Sequence, residues 1–543
     1  MKYKKLLSKS STKEERLMNV EKLYSKGFKE YKKKNYDAAL KILDKIERLE
    51  QNKGRVYFLK ATVWKERGNF IKEYYALKKV LPFLEFSTPE GKNFALEVFL
   101  CLINSCRDVF LMTEASEFCF LAMQLGGNEL KNNRAEIIKR AIFSMNASED
   151  YSAEDFRALY HEHQKCLADV VPYPKKFYDH KKIRVGFISA DFYFHPVINW
   201  SWSLLNKLDK NLFKTYFYSS SKKSDVVTEN LRQSAENWCD INNLTDEAAA
   251  KLIRDDEIDI LFDMSGYTRG ERLRVSAYCP ASVQICGIGY MNSTGLDCFD
   301  YFLSDVYCAG DENFFTEKII KLPHSHICYE PPTKFIPAVE PPCLKNNFVT
   351  FGSFSQFGKV TDSILIAWKK ILDAVPNSRL ILKHVIFNTD DGKNFVGERM
   401  KNLGFDLARI EMRGFSDTWL IEYGDVDIAL DTFPYTGGVT TCEALYMGVP
   451  VISLYGARHG SRFGLSILKN IGLDELAVDS YDKYINRAVA LAGDWELLTI
   501  LRKNLRTMMK NSPLMNSENY LHEIQEAFIK ILNDERKNFL QSV

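Results

Sequence analysis

The sequence lacks the features that mark membrane, fibrous or disulfide-framed chains. No apolar run reaches 18 residues, so no membrane span is expected. The start, MKYKKLLSKSSTKEERL, is positively charged but offers only Leu6-Leu7 where a signal peptide carries an apolar stretch of about 7–15 residues. Twelve cysteines are scattered over 543 residues without one CxxC pair, which argues against a disulfide framework and for a reducing, cytoplasmic setting. Glycine (28) and proline (16) are too ordinary for a collagen-like or low-complexity chain, and 46% hydrophobic residues suffice for a sizeable core. At this length about three or four domains or subdomains are expected. A strong net charge is also missing, and no nucleic-acid partner is expected from a total of +2. That total conceals a split. Residues 1–80 hold 23 Lys/Arg against 10 Asp/Glu, and residues 81–543 hold 50 against 61. The basic head reads either as a solvated helical face or as a dock for an acidic protein partner, weakened by salt.

What is present begins with repetition. Sliding residues 23–49 by 34 places pairs Tyr24 with Phe58, Gly27 with Ala61, Asn35 with Asn69, Tyr36 with Phe70, Leu43 with Leu77 and Ile46 with Val80. A 34-residue period is that of tetratricopeptide repeats, two antiparallel helices per unit. A third helix pair is expected over roughly 91–125, and the whole span 1–172 is expected to be helical. At 171–182 Pro172 and Pro174 mark a linker, after which short apolar runs alternate with helical segments. The first runs are Ile183–Ser189, Phe213–Tyr218 and Ile258–Asp263. A second linker at 330–347 carries Pro331, Pro332, Pro337, Pro341 and Pro342. The alternation then restarts with Phe348–Ser353, Arg379–Lys383, Val426–Leu430 and Val449–Leu454. This predicts two parallel α/β lobes, 180–335 and 346–515, with a ligand cleft at the carboxyl ends of their strands, and a terminal helix over 516–543.

The strongest chemical signal is Leu430-Asp-Thr-Phe-Pro-Tyr-Thr-Gly-Gly-Val-Thr-Thr-Cys-Glu-Ala-Leu445. It reads as a strand, a Gly437-Gly438 turn and a helix start at Thr440-Thr441, whose free N–H groups suit a diphosphate. Glu443, in the first turn, suits a ribose; the plainer reading is hydroxyl caps followed by a favourably placed acid. Gln356 and Lys359 follow the strand ending at Ser353, where a lysine can neutralise charge growing on a leaving phosphate. His195 follows the first strand of the other lobe and faces the cleft from the opposite side.

In the order ADFYFHP, MSGYTRG, GIGYMNSTG, SFSQFGK and LDTFPYTGGVTTCEALYMGVP, the chain from 180 to about 515 resembles the O-GlcNAc transferase/SPINDLY family of protein glycosyltransferases, glycosyltransferase family 41. The resemblance implies a GT-B architecture behind helical repeats, and inverting transfer from a nucleotide sugar to a protein side chain. It implies that Lys359 serves the diphosphate, that Thr440 and Thr441 supply phosphate-binding hydroxyls at the helix start, and that Glu443 binds ribose. It also implies that His195 reaches the sugar and acceptor region and that the Gly289 backbone contacts the sugar. Departures are equally specific. Val439 stands where the animal enzyme has His, so any contact there is through the backbone. Trp419 replaces a histidine that covers the base, and Glu422 lies where some members place an arginine. Gln356 resembles the O-GlcNAc side of the family, since the SPINDLY fucosyltransferases tend to have Asn.

Asp425-Val-Asp427 is a literal DxD, but it runs into a buried strand and is not read as a metal site. His161/His163, His324/His326 and Cys279, Cys286, Cys298 and Cys308 show no zinc spacing. Retaining GT-B enzymes carry two glutamates eight positions apart, whereas Val451 and Tyr435 flank Glu443 at that spacing. The expectation is therefore a cytoplasmic, metal-independent, inverting enzyme needing no cofactor. It moves GlcNAc from UDP-GlcNAc to Ser/Thr hydroxyls of an acceptor protein docked on residues 1–170. The alternatives are a GDP-fucose or other nucleotide-hexose donor, and a repeat-based adaptor with an inactive transferase body.

Overall fold

Two helix pairs open the chain because the sequence repeats its own apolar register. The computed structural model describes residues 13–49, 53–126, 128–331 and 335–542; the lead up to residue 12, part of the basic head, and Pro332 of the second linker lie outside them. Helices α1 (Lys13–Lys32) and α2 (Tyr36–Glu47) form one pair, α3 (Gly54–Glu66) and α4 (Phe70–Lys78) the next. Tyr36 and Phe70 open α2 and α4, and the Asn69 side chain caps α4 by accepting from the Lys72 N–H at 3.0 Å. Gly27 lets α1 close on α2, for a Cβ there would already touch Ile42 at 3.4 Å. Val20, Leu43, Ile46, Val56 and Leu59 form the shared core. Helices α5 (Pro89–Asp108) and α6 (Met112–Leu125) make a longer third pair, followed by α7 (Asn128–Met145) and α8 (Ala153–Lys165). A groove on α2–α4 is lined by Glu47, Tyr57, Lys60, Trp64, Lys72 and Lys79, with Lys72 Nζ 4.9 Å from the Trp64 ring centre.

The chain divides into two units at Ala141/Ile142, well before residue 172. The reason is local. The end of α7 and all of α8 are tied to the second unit: Asn146 donates to the Tyr290 hydroxyl at 3.2 Å, His163 Nδ1 lies 2.9 Å from the Tyr267 hydroxyl, and Arg458 donates to the carbonyls of Met145 and Ser148.

The second unit holds two all-parallel sheets. The first comprises β1 (Ile183–Ser189), β2 (Phe213–Ser219), β3 (Asn237–Asp240), β4 (Ile260–Asp263), β5 (Val283–Gly287), β6 (Tyr301–Asp305) and β7 (Lys318–Leu322), ordered 3-2-1-4-5-6-7. The second comprises β8 (Thr350–Ser353), β9 (Arg379–Lys383), β10 (Ile410–Arg413), β11 (Ile428–Leu430), β12 (Val451–Leu454) and β13 (Ala477–Val478), ordered 10-9-8-11-12-13. Both are doubly wound, with the strand order reversing between β1 and β4 and again between β8 and β11. Loops leaving adjacent strands at such a reversal diverge and open a crevice. The terminal helix Ser517–Ser542 returns to the first sheet: Phe528 packs edge-on against Phe213 and Phe262, and Glu535 accepts from the Tyr301 hydroxyl at 2.9 Å and from Lys318 Nζ at 2.8 Å.

One glycine tests how tightly α8 is fitted to the first lobe. Gly295 has φ +67°, and a Cβ there would lie 1.9 Å from a Tyr160 ring carbon. Gly295→Ala is expected to destabilise the second unit by about 2 kcal/mol or more, through both the left-handed backbone and the clash. Urea unfolding followed by intrinsic fluorescence measures this; an unchanged midpoint contradicts the packing.

Candidate functional site

The crevice of the second lobe is built from the loops after β8 and β11. The loop after β8 makes a tight turn, Phe357–Lys359, which leads into the helix Asp362–Ala374. It is fastened to its neighbour twice: Val360 bridges Phe433, and the Thr361 hydroxyl donates to the Phe433 carbonyl at 3.1 Å. That fastening aims Lys359 across the gap, where Nζ donates to the Thr436 carbonyl at 2.9 Å and sits 3.6 Å from the Tyr435 ring centre. Burial lowers the Lys359 ammonium to about 8, and Asp431 acts in the opposite direction. Gln356 lies exposed at the start of the same turn.

The loop after β11 is organised by Asp431, a residue the sequence reading passed over. Its buried carboxylate accepts from the N–H groups of Thr432 (2.8 Å) and Gly437 (2.6 Å) and from the Ser453 hydroxyl (2.7 Å). These bonds fold the segment so that the helix Val439–Tyr446 begins directly beside Lys359's partner Thr436. Three oxygens converge on the bare α-carbon of Gly437: a Cβ there would lie 2.5 Å from Thr441 Oγ1 and 2.9 Å from both Thr440 Oγ1 and Asp431 Oδ1. Gly438 is kept small by the other lobe, for a Cβ would lie 2.3 Å from the Trp200 ring. The result is a cradle of first-turn N–H groups and two hydroxyls, which suits an anion. Val439 is buried.

Beside the cradle lies a narrow cleft lined by Gly352, Phe354, Tyr423, Asp431, Thr440 and Thr441. Phe354 stacks on Tyr423 at 4.3 Å, and the Tyr423 hydroxyl donates to the Thr440 carbonyl at 3.2 Å. Glu443 is buried, its carboxyl raised to about 7 by burial, and it accepts from the Trp419 indole N–H at 3.1 Å. Trp419 is thereby fixed to Glu443 by its edge. Glu422 is engaged structurally, pairing with Lys383 at 2.6 Å and Arg413 at 3.5 Å. The DxD acids are likewise consumed: Asp427 accepts from the N–H groups of Cys343 and Thr350, and Asp425 pairs with Arg413 at 2.7 Å.

From the first lobe, His195 follows β1. Its Nδ1 faces the Val197 N–H at 3.4 Å and lies 3.8 Å from Asp191. Burial lowers its pKa, Asp191 acting against that and Lys223 with it. A neutral ring whose Nδ1 accepts from backbone carries its proton on Nε2, and therefore presents a donor. The helix Ile198–Asn206, which starts three residues later, brings Trp200 to Gly438. Gly289 lies in the loop after β5, pressed so closely on the Met264 carbonyl that a Cβ would lie 1.8 Å away. The structure thus gathers Lys359, Gly437, Gly438, Val439, Thr440, Thr441, Glu443 and Trp419 around one crevice, leaves Gln356 exposed on the turn before Lys359, and sets His195 and Gly289 on loops of the other lobe.

Two doubly wound parallel lobes that meet at a crevice have the architecture of the GT-B fold. Residues 159–337 and 329–524 match the model of Glycosyl transferase family 41, and the chain belongs to that family. Among curated relatives, the tomato (Solanum lycopersicum) protein named "Probable UDP-N-acetylglucosamine--peptide N-acetylglucosaminyltransferase SPINDLY" is 35% identical over 353 residues, 63% of this chain and 38% of that protein. The Arabidopsis thaliana protein of the same designation ending in SEC is 26% identical over 371 residues, 65% of this chain and 37% of that one. The chain therefore spans under two fifths of the length of these relatives. A solved structure of a mutant O-GlcNAc transferase from Thermobaculum terrenum superposes with a TM-score of 0.79 at 25% identity, covering 96% of this chain and 99% of that one.

The cradle's dependence on Asp431 is testable without a ligand. Asp431→Ala leaves the Gly437 N–H and the Ser453 hydroxyl buried without an acceptor, and a loss of about 3 kcal/mol is expected. Asp431→Asn keeps one acceptor oxygen and is expected to lose about half as much. Denaturant midpoints measure both, and equal losses would show that the hydrogen bonds do not matter.

Proposed function

We propose that this chain is an inverting protein O-glycosyltransferase that moves GlcNAc from UDP-GlcNAc to Ser or Thr hydroxyls of an acceptor protein. The observation that carries the reading is Lys359 meeting the Gly437–Thr441 cradle across one crevice. In the proposed step the acceptor oxygen bonds to the anomeric carbon as the bond from that carbon to the diphosphate oxygen breaks. The electron pair leaves with the diphosphate, and the hydroxyl proton passes to a diphosphate oxygen or to water. The Lys359 ammonium and the helix-start N–H groups stabilise the charge that develops, which is where binding raises turnover most. Glu443 accepts from ribose hydroxyls, while Trp419 holds its carboxylate and walls the base. Gly289 offers backbone to the sugar. His195, a donor at Nε2, orients the sugar or the acceptor and is not the general base in this reading. Gln356 sits at the donor's entrance. No metal or cofactor takes part in the proposed reaction.

The twelve cysteines, all free thiols, support a reducing, cytoplasmic location. No described helix is long and apolar enough to cross a membrane. The acceptor is proposed to dock on the helical region within residues 1–170, where Lys72 and Lys79 flank the Trp64 groove and favour an acidic segment, Lys60 being paired with Asp44 and Glu47.

Lys359→Ala is expected to lose at least about a hundredfold in kcat with the fold retained, measured as UDP release over a panel of UDP-GlcNAc, GDP-fucose and other nucleotide hexoses. Near-wild-type release would remove Lys359 from the mechanism, and turnover with GDP-fucose alone would replace the donor. The pH dependence has a definite sign. Donor capture needs Glu443 ionised, above about 7, and Lys359 protonated, below about 8. The kcat/KM for donor is thus expected to form a narrow bell, whose acid limb disappears in Glu443→Gln; a bell unchanged by that substitution assigns the limb elsewhere.

A further inference from the structure

Three residues that share no motif meet in the interior of the second unit. Cys308 follows β6, His326 follows β7, and His459 opens the turn His459–Ser461 beyond β12, so the group draws on both lobes. All three side chains are buried, and one donor atom from each lies within 4.8 Å of the others. Spacings of 18 and 133 residues explain why the sequence gives no metal signature here.

Two further observations point to a ligand. His459 is fully buried, yet neither ring nitrogen makes a hydrogen bond of acceptable geometry, although the Met291 backbone is a neighbour. Its faces and edges are taken by Phe302, Phe315, Phe463 and His326, the last with ring centres 5.0 Å apart. His326, by contrast, is oriented. Its Nδ1 lies 2.5 Å from Asp305 Oδ2, and that carboxylate also accepts from the His326 and Cys308 N–H groups and from the Ser466 hydroxyl at 3.0 Å. A carboxylate holding Nδ1–H leaves the Nε2 lone pair free, the arrangement that prepares a histidine to bind a metal.

We propose that Cys308, His326 and His459 form a binding site for a borderline-soft divalent cation of the zinc class, with Asp305 as the orienting carboxylate. One thiolate and two imidazoles favour zinc over magnesium or calcium, and three protein donors leave one tetrahedral position. Tetrahedral bonds would set the donors about 3.3–3.8 Å apart, a side-chain adjustment of about 1 Å from the present spacing. On binding, the Cys308 S–H bond gives up its proton to solvent and a sulfur–metal bond forms. The metal is structural. It ties the first lobe to the turn whose next residue, Gly460, accepts from the Thr436 N–H and hydroxyl, both at 3.1 Å, and Thr436 is the residue that Lys359 contacts.

The test uses the whole chain, stripped with a chelator and titrated with cobalt(II) as the spectroscopic probe. The expected result is saturation at one equivalent with tetrahedral d–d bands and a thiolate charge-transfer band. That band is lost in Cys308→Ser, and half-saturation is shifted at least about tenfold in His459→Gln and in Asp305→Asn. X-ray absorption on zinc-loaded wild type needs no variant and should give one sulfur at about 2.3 Å with nitrogen at about 2.0–2.1 Å. A shell without sulfur, a shell with two or more, no saturable cobalt spectrum, or a thiolate band that survives Cys308→Ser overturns the site.

Discussion

The buried carboxylate of Asp431 is the constraint from which the candidate site follows. Gly437 stays bare because a Cβ would strike Asp431 and both threonine hydroxyls; Thr440 and Thr441 present those hydroxyls because the helix starts where Asp431 pins the Gly437 N–H. Lys359 reaches Thr436 only because that residue lies in the segment Asp431 folds back. An acid at the end of a central parallel strand costs desolvation, and its pKa is raised to about 6. Three donors and a facing ammonium offset that cost, so the charge is retained for what it positions.

The second constraint is the close fit of the two lobes behind the crevice. Trp200 of the first lobe occupies the space a side chain at Gly438 would need, and Gly460 of the second has no room for a Cβ against Met291 at 2.8 Å. Arg462 spans the same boundary, donating to the Tyr307 carbonyl at 2.7 Å, while Asp311 N–H reaches the Ala457 carbonyl at 2.9 Å. These contacts join loops that leave the carboxyl ends of the strands. The lobes are thus held together at the ends where their loops carry the candidate residues, and a shift of one lobe is felt in the other's cradle.

Several strands with strong apolar runs were legible: Ile183–Ser189 and Arg379–Lys383 have the predicted limits. Six of the described strands were missed, and two of them, β5 and β6, are buried throughout but are only five residues long and carry Gln284 or Ser304 within the run. The other four have sequences that do not look like a core. β3 (Asn-Trp-Cys-Asp), β7 and β10 lie at or near sheet edges and carry polar residues, and β13 has two residues. The motif residues around Gly437 were legible because turn chemistry is local. Asp431 was not, although it stood inside the quoted motif, since an acid after a strand reads equally as surface. The affiliation of α8 was invisible for a related reason: His163 and Tyr160 look like ordinary helix residues until Tyr267 and Gly295 arrive from more than a hundred positions away. Cys308, His326 and His459 are the extreme of this, three residues with no spacing to read.

The directions of the shifted groups carry one further consequence. Burial works against charge at Lys359, Asp431 and Glu443 alike, lowering the base and raising both acids. A diphosphate beside Lys359 would push its ammonium back toward its ordinary range, because an added anion at close distance favours the cation. Ribose hydroxyls donating to Glu443 would lower that carboxyl, joining the Trp419 N–H that already does so. The two groups therefore respond to a nucleotide by becoming more fully charged, in opposite senses. Lys359 takes up part of a proton and Glu443 releases one, so the net proton exchange on binding is smaller than either change alone. In the proposed reaction the first change would go further, since the departing diphosphate carries more charge than the donor and would hold the lysine proton harder. On that proposal Lys359 would be most fully cationic when charge on the leaving group is greatest, and this differential stabilisation would arise from the same burial that weakens the ammonium beforehand.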